Sequence, residues 1–299
     1  MNKILTKTCP ICHGDKLKNY AECKDYFTSG EKFHLFQCNN CHFILTADAP
    51  NEKEIGEYYK SESYISHTNT SKGLINKVYH KVRTYMINKK ANLVWSFSEV
   101  KKGKLLDVGA GIGLFVQKMK QKGWDTMGIE TSKEAREYAQ KQFCIELKNT
   151  NYWSQISPYS LDVITLWHVL EHISSINEIW DKFHRALTPN GLLIIAVPNC
   201  DSHDAKKYKE HWAAYDVPRH IWHFTPKTLE LLAKKHHFKI IGKKTMPFDG
   251  FYISMMSEKY KNSAYPLLKG FLTGIIGWFK SLFNASNSSS IIYILKKVD

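Results

Sequence analysis

The sequence predicts an α/β fold: a mostly parallel sheet with helices on both faces, preceded by a small cysteine-bearing module. Three observations predict it. Leu105-Leu106-Asp107-Val108 reads as a buried strand that runs into Gly109-Ala110-Gly111-Ile112-Gly113, with Leu114–Met119 opening a helix behind it. Asp125–Glu130 is a second short strand ending in an acid, and Ser132 is placed to cap the helix that follows it. Two further apolar runs, 160–167 and 191–197, repeat the strand pattern downstream. At 299 residues the chain can bury a sizeable core, and one large domain plus a small one is expected.

The small module comes first, over 1–48. Cys9-Pro10-Ile11-Cys12 and Cys38-Asn39-Asn40-Cys41 are two C-x-x-C pairs. Each pair can present two thiolates from a tight knuckle, and two knuckles complete a tetrahedral Zn²⁺ site. Cys9, Cys12, Cys38 and Cys41 are therefore the expected metal ligands. Four sulfurs leave no open position, so the role is structural. The spacer holds Tyr20–Phe27 and Lys32–Gln37, which read as ribbon strands. So short a segment has too little core to fold unaided, and metal binding would supply the missing free energy. Cys23 has no partner pair, and Cys144 and Cys200 read as buried small residues beside core strands.

Residues 49–100 form a connection. Residues 49–71 are polar with Tyr58, Tyr59 and Tyr64 interspersed, a linker or lid. Gly73–Phe97 has helical spacing of apolar residues and predicts one or two helices. The large domain then spans 101–299. Its strand, glycine turn and helix have the layout of a nucleotide-type cofactor site, where missing Cβ atoms let the backbone approach a ligand. Leu114 stands where a dinucleotide fingerprint wants glycine. A carboxylate at Glu130 can accept both hydroxyls of a ribose.

After the run 160–172 and the turn Leu187–Gly191 comes a dense segment, His211–Pro226. It sets Trp212, Asp216, Arg219, His220 and His223 in a loop at the carboxyl edge of the sheet, where open α/β sheets bind ligands. Thr225-Pro226 caps a helix over Lys227–His237. Tyr265–Phe283 is an amphipathic insertion before the last strand. Leu268, Phe271, Leu272, Ile275, Ile276, Phe279, Leu282 and Phe283 form one face, and Lys269, Gly270, Thr273, Gly274, Gly277 and Lys280 the other. Its two lysines make it a poor membrane span. It reads as an interfacial or substrate-covering helix, or as an ordinary helix packed on the domain. Asn284–Ser290 is a polar linker, and Ile291–Lys296 the final strand.

Asp107-Val108-Gly109-Ala110-Gly111-Ile112-Gly113, the acid Glu130, the run Thr165-Leu166-Trp167-His168-Val169-Leu170-Glu171-His172 and Gly191–Asn199 occur in the order found in class I S-adenosylmethionine-dependent methyltransferases. The chain resembles that family over roughly 75–299. The resemblance implies a Rossmann-like, seven-stranded sheet. It implies that Asp107, Gly109, Gly111 and Gly113 frame the methionine end of the cofactor S-adenosylmethionine, and that Glu130 holds its ribose. Trp167 and His168 would lie where cofactor and acceptor meet. The acid that often contacts the adenine in that family has no clear equivalent in Ile145–Thr150. The segment around Asp216-Val217-Pro218-Arg219-His220 resembles one found in small-molecule members, which makes Trp212, Asp216, Arg219 and His223 substrate-binding candidates. A hydroxyl acceptor would benefit from a base of near-neutral pKa, with His220 first and His168 second.

The expected function is methyl transfer to a small-molecule acceptor, such as a sugar, a quinol-like ring or a lipid-linked intermediate, with O-methylation ahead of C-methylation. The 42 basic against 28 acidic residues, net +14, suit an anionic partner, including an anionic membrane surface. A ribosomal or transfer RNA methyltransferase using the ribbon for nucleic acid is the first alternative, although strand four lacks the Asn/Asp-Pro-Pro signature of base amino-group methylation. A non-catalytic cofactor-binding or zinc scaffold protein is the second. Seven cysteines, an odd number, argue against a secreted disulfide framework, and Met1–Cys9 has no apolar signal-type core. A cytoplasmic location, peripheral at the membrane, is expected.

Overall fold

The computed structural model describes residues 8–51, 54–59 and 74–298. Tyr64 and the rest of 60–73 lie outside them, as does the stretch 1–7. The chain opens with β1 (Leu17–Lys24), β2 (Lys32–Cys38) and β3 (Ile44–Thr46). β1 and β2 pair antiparallel, and β2 alternates exposed Lys32 and His34 with buried Phe33 and Leu35, the period-two pattern of a one-sided strand. Asp25 turns the hairpin, its carboxylate accepting the backbone N–H groups of Phe27, Thr28 and Ser29.

The large domain follows as α1 (Leu74–Phe97), β4 (Lys104–Val108), α2 (Leu114–Gln121), β5 (Asp125–Ile129), α3 (Lys133–Phe143), β6 (Leu161–Trp167), α4 (Ile176–Ala186), β7 (Leu187–Pro198), α5 (His203–Tyr208), β8 (Trp222–His223), α6 (Pro226–Lys235), β9 (Phe238–Thr245), α7 (Asp249–Tyr260), α8 (Pro266–Phe283) and β10 (Ser290–Lys297). Its sheet has the order β5-β4-β6-β7-β10-β9. The first four strands are parallel, and β10 is antiparallel to both neighbours. Strands covered on both faces read as continuous apolar runs, and residues within each run divide between two cores. Leu106, Ile164, Leu193, Ile195, Ile291 and Tyr293 pack with Trp180 and Phe183 of α4 and Leu229 of α6. Their neighbours Leu105, Val163, Leu192, Ile194 and Ile292 pack on the opposite face with Val94 of α1 and Phe115 and Met119 of α2. Ser132 caps α3 by accepting the Ala135 N–H, and Thr225 and Thr228 form a capping box on α6.

The structure departs from the expectations in several places. The sheet has six strands among the described residues, not seven. The segment after α3 adds only the parallel bridge Ile129↔Lys148; Ile145 and Leu147 anchor it against Val116 and Ala139, but the polar residues from Lys148 onward do not extend the pairing. Leu187–Gly191 is the start of β7 rather than a separate turn, since Leu187 already pairs with Leu161. Cys144 is exposed, in a left-handed conformation at the end of α3, rather than buried beside a strand. Leu74–Phe97 is one helix, and α7 is an element that no sequence signal announced.

The cysteine module is not independent of the large domain. β3 pairs with β8, so a strand from the loop after β7 completes the first sheet in the order β1-β2-β3-β8. Cys9, Ile11, Phe43 and Leu45 share one core with Trp222, Phe224 and Leu229.

Candidate active site

The glycine turn closes β4 at the carboxyl edge of the sheet. Gly109, Gly111 and Gly113 all have positive φ (69°, 54° and 81°), a region that an L side chain occupies only with strain. A Cβ at Gly109 would strike Val169, whereas a Cβ at Gly111 would project into open space. Gly113 is the N-cap of α2 and provides no side-chain acceptor, so the first amides of that helix stay available to a ligand carboxylate. The Glu130 carboxylate accepts the Gly111 N–H at 2.7 Å with one oxygen and the Ser132 N–H at 2.9 Å with the other. It therefore sits against the turn, as a ribose-binding acid must. Asp107 is buried and accepts the Thr165 hydroxyl at 2.6 Å; burial pushes its pKa up to about 7. Trp167 ends β6 with its ring edge-on to Phe115, and the Lys90 ammonium lies 4.6 Å from its centroid. Burial lowers the Lys90 pKa against the pull of Asp107 and Asp249. This open turn, bare helix end and acid fit S-adenosylmethionine.

Immediately past β6 the chain gathers four ionisable groups. His168, with φ 59°, contacts Asp249 Oδ2 at 3.0 Å through Nε2 and Glu171 Oε1 at 3.4 Å through Nδ1. Burial disfavours its charge, but the two carboxylates outweigh burial and push its pKa up to about 9. His168 is thus a held cation at neutral pH. Glu171 is fully buried, and neither carboxylate oxygen has a hydrogen-bond partner among the described residues, though burial is overcome by the histidines around it, which hold its pKa below the usual value. His172 directs Nδ1–H toward the Arg219 carbonyl and the Tyr59 hydroxyl, each at 3.0 Å; burial and His220 bring its pKa down to about 4. His220 donates Nδ1–H to the Ala214 carbonyl at 2.9 Å and lies 4.5 Å from the His172 ring. That tautomer leaves Nε2 as an acceptor, 3.9 Å from Asp216 Oδ2. Glu171, His172 and His220 offer ligand atoms within 4.8 Å of one another, a set able to take a divalent cation.

The other loop candidates are placed differently. Arg219 is buried and grips Asp216 with two nitrogens (3.0 and 2.6 Å), Asp25 of the β1–β2 turn at 3.1 Å and the Tyr58 carbonyl at 3.0 Å. The two carboxylates raise its pKa further, despite burial, and the guanidinium together with His220 in turn lowers that of Asp216 against its own burial. His223 donates Nε2–H to the Thr46 hydroxyl at 2.9 Å, and that hydroxyl donates to the His220 carbonyl at 2.8 Å. Burial drives the His223 pKa down to about 3. Trp212 is buried, donating to Asp204 at 2.8 Å and packing edge-on to Tyr215. Arg219, His223 and Trp212 thus tie the loop to the module and to a local core, while Asp216 and His220 reach the histidine cluster. Lys90 and Asp249 were missed, because no local pattern marks a single charged residue that the fold brings in from a distant helix.

The four cysteines converge. Their Sγ atoms lie within 4.8 Å of one another, with Cys9–Cys41 at 3.4 Å and Cys12–Cys38 at 3.5 Å. A tetrahedron with Zn–S bonds of about 2.3 Å has edges of about 3.8 Å, so the donor set fits that ion. The two knuckles match in detail: His13 and His42 each follow the second cysteine with positive φ, and each N–H bonds back to the carbonyl of the first.

A methyltransferase-domain family model matches residues 79–243. The chain is 28% identical over 163 residues to the ubiquinone biosynthesis O-methyltransferase of Rickettsia prowazekii (strain Madrid E), covering 50% of this chain and 60% of the relative. It is 27% identical over 158 residues to that of Rickettsia typhi (strain ATCC VR-144 / Wilmington), covering 50% and 61%. The match thus spans about three fifths of the length of these curated relatives. Among solved structures, phosphoethanolamine N-methyltransferase 2 of Haemonchus contortus aligns with a TM-score of 0.48 and 20% identity, over 71% of this chain and 53% of that one. With the family model covering more than half of the sequence, the chain belongs to the class I S-adenosylmethionine-dependent methyltransferases.

Proposed function

We propose that this chain methylates a hydroxyl oxygen of a small-molecule acceptor, with His220 as the base. Bound at the glycine turn and Glu130, S-adenosylmethionine supplies an activated methyl group. The chain's task is then to align the acceptor and take its proton. The observation that carries this reading is the 2.9 Å contact of His220 Nδ1 with the Ala214 carbonyl, which can only accept. Its Nδ1–H is committed to the Ala214 carbonyl, leaving Nε2 to receive the proton. The neighbours do not compete for that role. His168 already carries a proton at neutral pH, and His172 is too weak a base. A charged His168 beside the site favours the developing oxyanion of the acceptor. The similarity to ubiquinone biosynthesis O-methyltransferases supports an O-methyl product on a quinol-like ring. Sugar and lipid-linked hydroxyls are the other acceptors of the same chemistry.

The cysteine centre is proposed as a structural Zn²⁺ site. Its module, residues 1–48, is joined through 49–100 to the catalytic domain, 101–299. Through β8 and the Asp25–Arg219 contact it holds the segment that carries His220.

The test is transfer from methyl-labelled S-adenosylmethionine to catechol-type, sugar and polyprenyl-linked acceptors, comparing wild type with His220→Asn. The expected result is an O-methyl product and a kcat lowered about 10²- to 10⁴-fold by the substitution, with cofactor affinity unchanged. Label on carbon, or an undiminished kcat in His220→Asn, would refute the assignment.

A further inference from the structure

Helix α8 is packed the wrong way round for a core helix. An amphipathic helix on a globular domain ordinarily turns its apolar stripe inward. Here the residues buried against the protein are Gly270, Thr273, Gly274 and Ser281. A Cβ at Gly270 would fall on the Met255 backbone, and one at Gly274 on Phe251, so small residues let α8 lie directly on α7. The apolar stripe faces outward as a result. Leu268 is 59% exposed, Phe279 56% and Phe283 79%, with Leu272, Ile275, Ile276 and Leu282 between them. Trp278 and Tyr265 are also exposed, at the flank and at the helix start.

The exposed charge on the α7–α8 hairpin has one sign. Residues 249–283 contain two carboxylates, and both are engaged: Asp249 with His168 and Glu258 with the Tyr208 hydroxyl. Lys259, Lys261, Lys269 and Lys280 are exposed. At about 100° per residue, Lys269 and Lys280 fall on the same flank of α8, where its apolar face meets the body of the protein. Leu, Ile and Phe at the centre, Trp and Tyr at the margins and lysines on the rim match the layering of a bilayer interface. Among the described residues, no helix is long and apolar enough to cross a membrane.

We infer that the outer face of α8 docks this protein on the surface of an anionic lipid bilayer, the helix lying in the interface. Charge complementarity selects the lipid surface over a second copy of the chain, which would bring lysine rim against lysine rim with no exposed acid on the hairpin to answer it. The docking face is mechanically joined to the site, since α7 begins at Asp249, the partner of His168. The docking does not depend on which acceptor is methylated, and its test needs no turnover.

The experiment is co-sedimentation of the full chain with vesicles of phosphatidylcholine alone and of phosphatidylcholine with phosphatidylglycerol. It is run for wild type, for Leu272→Asp plus Phe279→Asp, and for Lys269→Gln plus Lys280→Gln. Sedimentation velocity without lipid and thermal melting accompany it. The mutated side chains are exposed, so both variants should melt as wild type does. Wild type should partition at least tenfold better onto the anionic vesicles. The lysine variant should lose most of that preference, and the aspartate variant all measurable binding at either composition. High salt should weaken the wild-type interaction, as screening shortens to about 3 Å at 1 M. Equal recovery of wild type and the aspartate variant with vesicles would overturn the inference. So would a wild-type dimer that the aspartate pair dissociates, which would assign the face to a second copy instead. If the aspartate variant unfolds, the lysine variant decides: undiminished anionic preference would also overturn the inference.

Discussion

Removing the Asp25 carboxylate should loosen a contact between residues 194 positions apart. Asp25 is 1% exposed and accepts five hydrogen bonds: from the N–H groups of Phe27 (2.9 Å), Thr28 (3.2 Å) and Ser29 (2.9 Å), the Ser29 hydroxyl (2.9 Å) and Arg219 (3.1 Å). In Asp25→Ala the buried guanidinium keeps Asp216 but loses its second counter-charge, and the turn donors lose their acceptor. Breaking one partner from a buried ion pair costs about 3–5 kcal/mol, and the surviving Asp216 contact places this case near the lower end, about 3 kcal/mol. Arg219→Met should cost less, about 2 kcal/mol. It leaves Asp25 with its four local donors, and it leaves Asp216 partly open to water. Because the two residues share one contact, the double variant should fall short of the sum by about 1–3 kcal/mol. Urea unfolding measures all three. One cooperative transition is expected, because the module and the large domain share a core and the β3–β8 pairing. The reasoning fails if Asp25→Ala costs under 1 kcal/mol, if the double variant is additive, or if the module melts separately.

Other outcomes follow from the sites. Gly111→Arg and Glu130→Ala should each weaken S-adenosylmethionine at least tenfold in calorimetry, since the first fills the open turn and the second removes the acceptor beside it; wild-type affinity in both would reject the placement. Protein purified without chelator should carry about one zinc per chain, and Cys12→Ser should lose it together with stability; four freely reactive thiols in the native protein would count against the site. His172 and His223, with pKa values brought down to about 4 and about 3, contribute stability that is present above the unfolded value of about 6.5 and lost as pH falls toward 4 and 3. His223→Gln should therefore flatten the acid limb of a melting-temperature profile. The raised pKa of His168, about 9, acts in the other direction: its contribution is complete below pH 6.5 and lost as pH rises through 9, and Asp249→Asn should reduce that alkaline loss.

The parts of this molecule that local physics decides were legible in the sequence. Apolar runs become strands because both faces of the sheet are covered, caps appear where Ser132 and Thr225 stand, and paired knuckles form where two cysteines flank two residues. The glycine turn was legible because positive φ has few solutions other than glycine. What was not legible depends on long separation. β8 is two residues long, too short for any periodicity, and acquires its structure from β3. Arg219 looked like a substrate residue because an arginine near histidines in a loop has the same local appearance whether its partner is a ligand or an aspartate of another module. Here Asp25 is 194 positions away.

Helix α8 is a different case: its pattern was visible in the sequence, but the spacing alone left open whether the apolar stripe faces outward or packs on the domain. Apolar and small residues both repeat with helical spacing in this segment, and a hydrophobic stripe is ordinarily assigned to the protein interior. Two stripes compete for the same packing surface, however, and contact distance decides between them. Gly270 and Gly274, one turn apart, allow α8 to reach the α7 backbone, an approach that a Leu or Phe at either position would prevent. Thr273 and Ser281 extend that seam, their hydroxyls returning to carbonyls of the preceding turn. Three glycines in an exposed helix would each cost roughly 1 kcal/mol relative to alanine. A sequence that retains them inside an otherwise strong apolar helix is signalling close packing on the glycine side. The apolar side is then left for another surface, and the lysines beside it state the sign of the charge that surface carries.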